Sequence, residues 1–174
     1  MSEPNFPACF KQVEKWEGWR KFTNDPHDPG GSTYSGVTQS AYNAWRDLKN
    51  LPRMGVQHAT DEEITDLYRA QYWDAVKGDD LPVGLDCIMF STAVNMGPHT
   101  AIKFMQSAVG MKADGWIGLE TLGAVKRIPV KPIIRSIAQK RLSYWQRLKT
   151  WVYYGKGWSN RGADDLNEAL AMVK

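Results

Sequence analysis

One stretch, from Glu17 to Thr38 (EGWRKFTNDPHDPGGSTYSGVT), constrains everything around it, because the rest of the chain reads as helices and this stretch does not. Residues 18–37 sustain neither a helical nor a strand period. Asp25-Pro26 and Asp28-Pro29-Gly30-Gly31 are turn chemistry: proline fixes φ, glycine takes left-handed conformations, and aspartate bonds its own backbone. Upstream, Phe6, Phe10, Val13 and Glu17 recur at helical spacing. That predicts a helix over 5–17 with Glu17 at the end of its apolar face and Gly18 as the stop. Downstream, Thr38 is placed to cap the next helix.

The remaining chain follows the helical period. A helix from Thr38 carries Tyr42 and Trp45, and Thr60-Asp61-Glu62-Glu63 is a capping box opening another with Ile64, Leu67 and Tyr68 on its apolar side. Leu85, Ile88, Met89, Thr92, Ala93 and Met96 mark the most apolar helix, expected at the centre. Gly97-Pro98 ends it and starts the next. A short helix is expected at about 119–126. A long one from Pro132 is expected to run through Ile134, Ile137, Trp145 and Val152 until Gly155 and Gly157 break it, before a last helix at 163–172. No alternating run is long enough to demand a sheet. The fold class is mainly α, with room for a small β-hairpin in 22–37.

Composition narrows the function classes. Of 174 residues, 43% are apolar and 24% charged, which suits a packed domain and excludes a disordered chain. Cys9 and Cys87 form no CxxC and no metal spacing, so buried free thiols are expected, in a reducing compartment or in a chain indifferent to oxidation. His27, His58 and His99 are far apart in sequence, with no HExxH, EF-hand loop, P-loop or GxSxG, so neither metal nor cofactor is expected. The N-terminus has no basic n-region or apolar h-region, and no stretch approaches the ~20 apolar residues of a membrane span. Neither signal peptide nor stable membrane anchor is expected, and a monomer is. Charge is uneven: from Lys126 to Arg161 the chain carries basic residues among Tyr144, Trp145, Trp151, Tyr153, Tyr154 and Trp158, with no acid between Glu120 and Asp164. Such a lobe suits an anionic polymer such as cell wall; nucleic acid is the competing partner.

Glu17 is the candidate for chemistry. On the apolar stripe its carboxylate points toward the core, where desolvation and the negative helix end both favour the protonated form. A protonated glutamate is what a general acid needs. The competing reading is a surface glutamate paired with Lys15, Arg20 or Lys21. Asp25 and Asp28 can supply a second carboxylate or simply make turns, and Thr33 can orient a water through its hydroxyl. Trp19, Tyr34, Tyr72 and Trp73 are candidate sugar-stacking rings or core aromatics. Asn95, near the end of the central helix, can hydrogen-bond an acetamido group or cap a turn.

These residues resemble a known family. Glu17-Gly18-Trp19, Asn24-Asp25-Pro26, Asp28-Pro29-Gly30-Gly31, Thr33 and Gly36-Val37-Thr38 are similar to the opening motif of glycoside hydrolase family 108, lysozyme-like N-acetylmuramidases common as phage endolysins. That family usually reads EGGY and then NDPxDPGGxTxxGIT; here Trp19 replaces the second glycine, Arg20 the tyrosine and Val37 the isoleucine. Tyr72-Trp73-Asp74 resembles its YWD, and Asp86 to Gly97 its helix ending AVNxG. Asp114 to Thr121 resembles the DGxxGxxT element of a peptidoglycan-binding region, with Arg141, Tyr144 and Gly157 to Arg161 its R-x-x-Y and GWxNR ending. The resemblance implies a lysozyme-like fold, with a catalytic region at 1–110 and a peptidoglycan-binding-like region at 111–174. It implies hydrolysis of the β-1,4 bond between N-acetylmuramic acid and N-acetylglucosamine, with Glu17 as general acid. By analogy with phage lysozymes, Asp28 and Thr33 are the next catalytic candidates. Trp19, Asp25, Tyr34, Trp73 and Asn95 are left as substrate-binding candidates. The partner is then peptidoglycan rather than nucleic acid. A phage endolysin made in the host cytoplasm, reaching the wall through a holin-type lesion, fits that reading. A lytic transglycosylase, or a non-catalytic wall-binding or secretion-linked protein, is the alternative.

Overall fold

The computed structural model describes residues 5–24 and 31–174. Among these are eight α-helices and one small sheet: α1 Phe6–Glu14, α2 Gln39–Leu48, α3 Asp61–Tyr68, α4 Leu85–Met96, α5 Pro98–Ala108, α6 Leu119–Lys126, α7 Val130–Gln146 and α8 Trp151–Met172. The mainly helical, lysozyme-like class expected from the sequence holds. The chain divides into two compact units, one of Phe10–Gln71 and one of the segment up to Cys9 together with Tyr72–Lys174. Residues 72–110 and 111–174 thus fall in the same unit. No helix among the described residues is long and apolar enough to cross a membrane.

In the Phe10–Gln71 unit, β1 (Phe22–Thr23), β2 (Thr33–Tyr34) and β3 (Val37–Thr38) form an antiparallel sheet in the order β1-β2-β3. Tyr34 pairs with Val37, so Ser35-Gly36 is a two-residue hairpin loop. Both residues have positive φ (50° and 77°), the requirement of a type I′ turn whose twist matches the strands it joins. Thr38 then caps α2 as expected, its side chain accepting from the Ala41 amide at 3.2 Å. The capping box also forms: Thr60 accepts from the Glu63 amide and Glu63 from the Thr60 amide. Glu63 does more than cap. It accepts from Tyr42 Oη (2.6 Å) and Arg46 Nη1 (2.7 Å), tying α2 to α3 through a half-buried network. Burial, followed by the bond to Glu63, pushes the Tyr42 phenol up. After Tyr68 the helix widens into a π-turn over Arg69–Trp73.

In the larger unit the central helix is α4, as its composition predicts. All of Leu85 to Ala93 is buried, and the helix packs against α5, α7 and α8. Gly97, at φ 84°, ends it, and Pro98 opens α5. The C-terminal helices differ from expectation. α7 stops at Gln146, and α8 runs straight through Gly155 and Gly157. Gly155 is a packing position rather than a break: a Cβ there would lie 2.7 Å from the Trp151 indole. Val152, expected on the buried stripe of α7, stands exposed on α8.

Cys9 and Cys87 correct a second expectation. They form a disulfide across 78 residues of sequence, with Cα atoms 4.9 Å apart. Nothing in the spacing announces the bond; helix packing brings the two together. Asp86, buried beside it, accepts from the Gly84 and Cys87 amides at 2.7 Å each. Burial nevertheless pushes its pKa up, more than those hydrogen bonds lower it.

Candidate functional site

α1 ends at Glu14, three residues before Glu17, yet the Glu17 amide still donates to the Val13 carbonyl at 3.2 Å. The helical register therefore reaches Glu17, but the burial falls off along it: Phe6, Phe10 and Val13 are buried and Glu17 is half-buried. The expected helix over 5–17 thus ends at Glu14, and Glu17 lies in the turn just beyond it. Gly18 (φ 65°) and Arg20 (φ 59°) are both left-handed, and they turn the chain into β1.

That turn is fastened to the β2–β3 hairpin. The Arg20 amide donates to Ser35 Oγ at 2.8 Å, the Ser35 amide donates to the Lys21 carbonyl at 3.1 Å, and Tyr68 Oη donates to the Ser35 carbonyl at 3.1 Å. Gly36 lies directly against the glutamate: a Cβ there would stand 3.2 Å from the Glu17 carbonyl oxygen, 3.3 Å from Glu17 Cβ and 2.6 Å from Tyr68 Oη. The Arg20 side chain binds the Asp61 carboxylate at the start of α3. That bond holds Asp61 below the usual carboxylate range. Burial, with the Asp61 charge second, holds the neighbouring Glu14 above it.

Thr33 lies on β2, half-buried, with its hydroxyl donating to the Gly31 carbonyl at 3.2 Å. With its hydrogen committed, Thr33 Oγ1 offers acceptor lone pairs to a water. Tyr34 follows it, also half-buried. Trp19 meets Phe10 edge-on at 5.2 Å, and Phe10 meets Tyr68 at 5.4 Å, so Trp19 is braced from one side while remaining half-exposed. Asp25 and Asp28 lie outside the described residues. Thr33 and Tyr34 thus form the first strand of the hairpin, and Gly36 of its loop lies against Glu17.

Trp73 is not a sugar-binding ring. It is fully buried, packed edge-on against Phe6 (5.3 Å) and Phe90 (5.7 Å), with Nε1 donating to Asp79 at 2.9 Å. An indole so deep has no face left for a ligand. Asn95 is half-exposed in the last turn of α4. Ser35, Gly36 and Tyr68 are the positions that sequence reasoning missed. The signal for two of them was there: Ser-Gly between Tyr34 and Val37 is a tight-hairpin dipeptide.

The basic aromatic lobe is partly internal. Arg141 and Arg161 are buried, and Arg141 Nη2 binds Asp165 at 2.9 Å. Burial pulls the Arg141 pKa down against the opposing pull of Asp165. Trp116, Tyr153 and Tyr154 stay exposed. The Asp114–Trp116 turn is held by Gln106, whose Nε2 donates to Asp114 (2.7 Å) and the Trp116 carbonyl (2.9 Å) while its Oε1 accepts from the Gly115 amide (2.8 Å).

The sequence model of glycosyl hydrolase 108 matches residues 10–97. Among solved structures, the chain is similar to SagA of Brucella abortus, with 35% identity and a TM-score of 0.86 over 99% of this chain and 98% of that one. No curated protein matches it.

Proposed function

The chain belongs to glycosyl hydrolase family 108 and is a glycoside hydrolase, and on that premise we propose that it is an N-acetylmuramidase with Glu17 as its general acid. Its substrate is peptidoglycan, at the β-1,4 bond between N-acetylmuramic acid and N-acetylglucosamine. One observation carries the reading: a half-buried glutamate just past α1 that lies against Gly36, in a turn whose Arg20 and Lys21 are hydrogen-bonded to Ser35 of the hairpin. A proton donor must hold its place while the glycosidic oxygen leaves, and that turn is over-determined.

Glu17 protonates the leaving oxygen as the C–O bond breaks and positive charge grows on the sugar. Thr33, whose hydrogen is already given to Gly31, accepts from the attacking water. Asp28 stabilises the oxocarbenium-like transition state or takes the water's proton. Trp19 and Tyr34 stack on sugar faces. Residues 111–174, with Trp116 and the exposed basic side chains, add affinity for the anionic wall. The biological role that fits is a phage or prophage endolysin in host lysis, reaching the wall through a holin-type lesion. The Cys9–Cys87 bond supports action outside the reducing cytosol.

Glu17→Gln should lose about a hundredfold to ten-thousandfold in the clearing of cell-wall suspensions, the usual worth of a general acid, with an unchanged melting temperature. Clearing at the native rate sinks the assignment. Asp28→Asn and Thr33→Ala should each lose activity while folded; near-native turnover in both leaves Asp25, or no second group, as the answer.

A further inference from the structure

Asn95 has its side chain oriented by a neighbour that the catalytic reading does not use. The Trp145 Nε1 of α7 donates to Asn95 Oδ1 at 3.1 Å. An indole N–H can only donate, so the oxygen of the carboxamide must face it. The Nδ2 group, with two donors, is thereby turned away from Trp145, and no acceptor among the described residues meets it. Asn95 is half-exposed, so these donors are presented at the surface.

Trp145 is itself held from several sides. It is buried, with the Arg141 guanidinium 4.9 Å from its ring centroid and Trp158 stacked 6.1 Å away at 24°. Gly162 lets α8 come close: a Cβ there would be 3.0 Å from Trp145 Cζ3. Arg141 is fixed in turn by Asp165, which also accepts from Ser91 Oγ at 2.5 Å. Removing one partner of such a buried pair would leave an uncompensated charge, so Arg141, Asp165 and the ring beside them are held together.

We propose that Trp145 is a positioning residue that locks the Asn95 carboxamide with its NH₂ outward, making it a fixed donor for the acetamido carbonyl of a wall sugar. The inference rests on peptidoglycan being the substrate. A fixed donor discriminates by chemistry: the acetamido oxygen accepts, whereas the ammonium of a de-N-acetylated sugar brings only donors and a charge.

The test compares kcat/KM on peptidoglycan with that on the same peptidoglycan chemically de-N-acetylated, with a re-acetylated sample as control. The native protein should prefer the acetylated wall by about tenfold or more, the order expected for one lost hydrogen bond plus donor–donor conflict. Trp145→Phe keeps the ring over Arg141 but lacks the N–H. Its preference should fall about fivefold through a higher KM on the acetylated wall, with kcat held. Asn95→Asp keeps the acceptor for Trp145 but loses both donors, and should lose the preference as well. It sits on a half-exposed position and decides the matter if Trp145→Phe fails to fold. A native protein active on both walls without preference, a folded Trp145→Phe variant that keeps the full ratio, or an Asn95→Asp variant that does so, overturns the proposal. A native protein inactive on both walls overturns the muramidase reading, and the proposal with it.

Discussion

Glu17 owes its position to a residue with no side chain. Gly36 is left-handed, and the space where its Cβ would lie is taken by Tyr68 Oη and the Glu17 backbone. Gly36→Ala therefore combines a strained φ with a clash. It should cost about 1–3 kcal/mol of stability, and muralytic turnover of the protein that remains folded should fall because the clash presses on Glu17. Native turnover in the folded variant contradicts this. Asp86 gives a pH signature. Burial raises its folded pKa above the unfolded value, so between the two the folded chain binds more protons than the unfolded one. Stability from this group is full below the ordinary carboxylate range and declines as pH rises through the folded pKa. Asp86→Asn keeps an oxygen for the Gly84 and Cys87 amides and cannot titrate. Denaturant melts across pH should show a shallower loss toward neutrality in the variant, and an identical slope in both proteins rules the assignment out. The residue scale is also where the sequence says least. Helical spacing led to Glu17 but ran the helix through to it, because the spacing cannot tell that the helix ends at Glu14 while one more hydrogen bond carries the register on.

At the scale of elements, capping chemistry was legible and glycine was ambiguous. Thr38 and Thr60 cap as their neighbours predict, since a cap is decided within four residues. Gly97 ends a helix as predicted, but Gly155 and Gly157 sit inside one, because a helical glycine and a terminal glycine are told apart only by what lies beside them. The two interior glycines make opposite predictions. Gly157 has open space around its Cβ position, so Gly157→Ala should raise stability by up to about 1 kcal/mol through helix propensity alone. Gly155→Ala meets the Trp151 indole, and overpacking of about 1–3 kcal/mol outweighs the same propensity gain. Thermal melts moving the same way for both would refute the packing role of Gly155. The aromatic-rich C-terminal third shows the same limit. Periodicity marked Trp145 on a helical stripe, but it could not pair Arg141 with Asp165 from another helix, nor Trp145 with Asn95.

On the scale of the whole molecule, the largest unforeseen feature is the Cys9–Cys87 bond, since two isolated cysteines 78 residues apart look the same free or joined. Cross-linking a loop of that length restricts the unfolded chain, so the Cys9→Ala/Cys87→Ala variant, or the reduced protein, should lose about 2–5 kcal/mol of stability. Equal stability of the reduced and oxidised forms contradicts that. The helical class and the family were legible because they rest on long periodic segments and a long loop motif. The second catalytic group is not fixed by the same residues, with Asp25 and Asp28 both outside the described ones. Mass spectrometry of peptidoglycan fragments released by the native protein and by Glu17→Gln tests the central claim most directly. The account predicts fragments ending in reducing N-acetylmuramic acid from the native protein and almost none from the variant. Anhydromuramic ends, or equal release by Glu17→Gln, would contradict it.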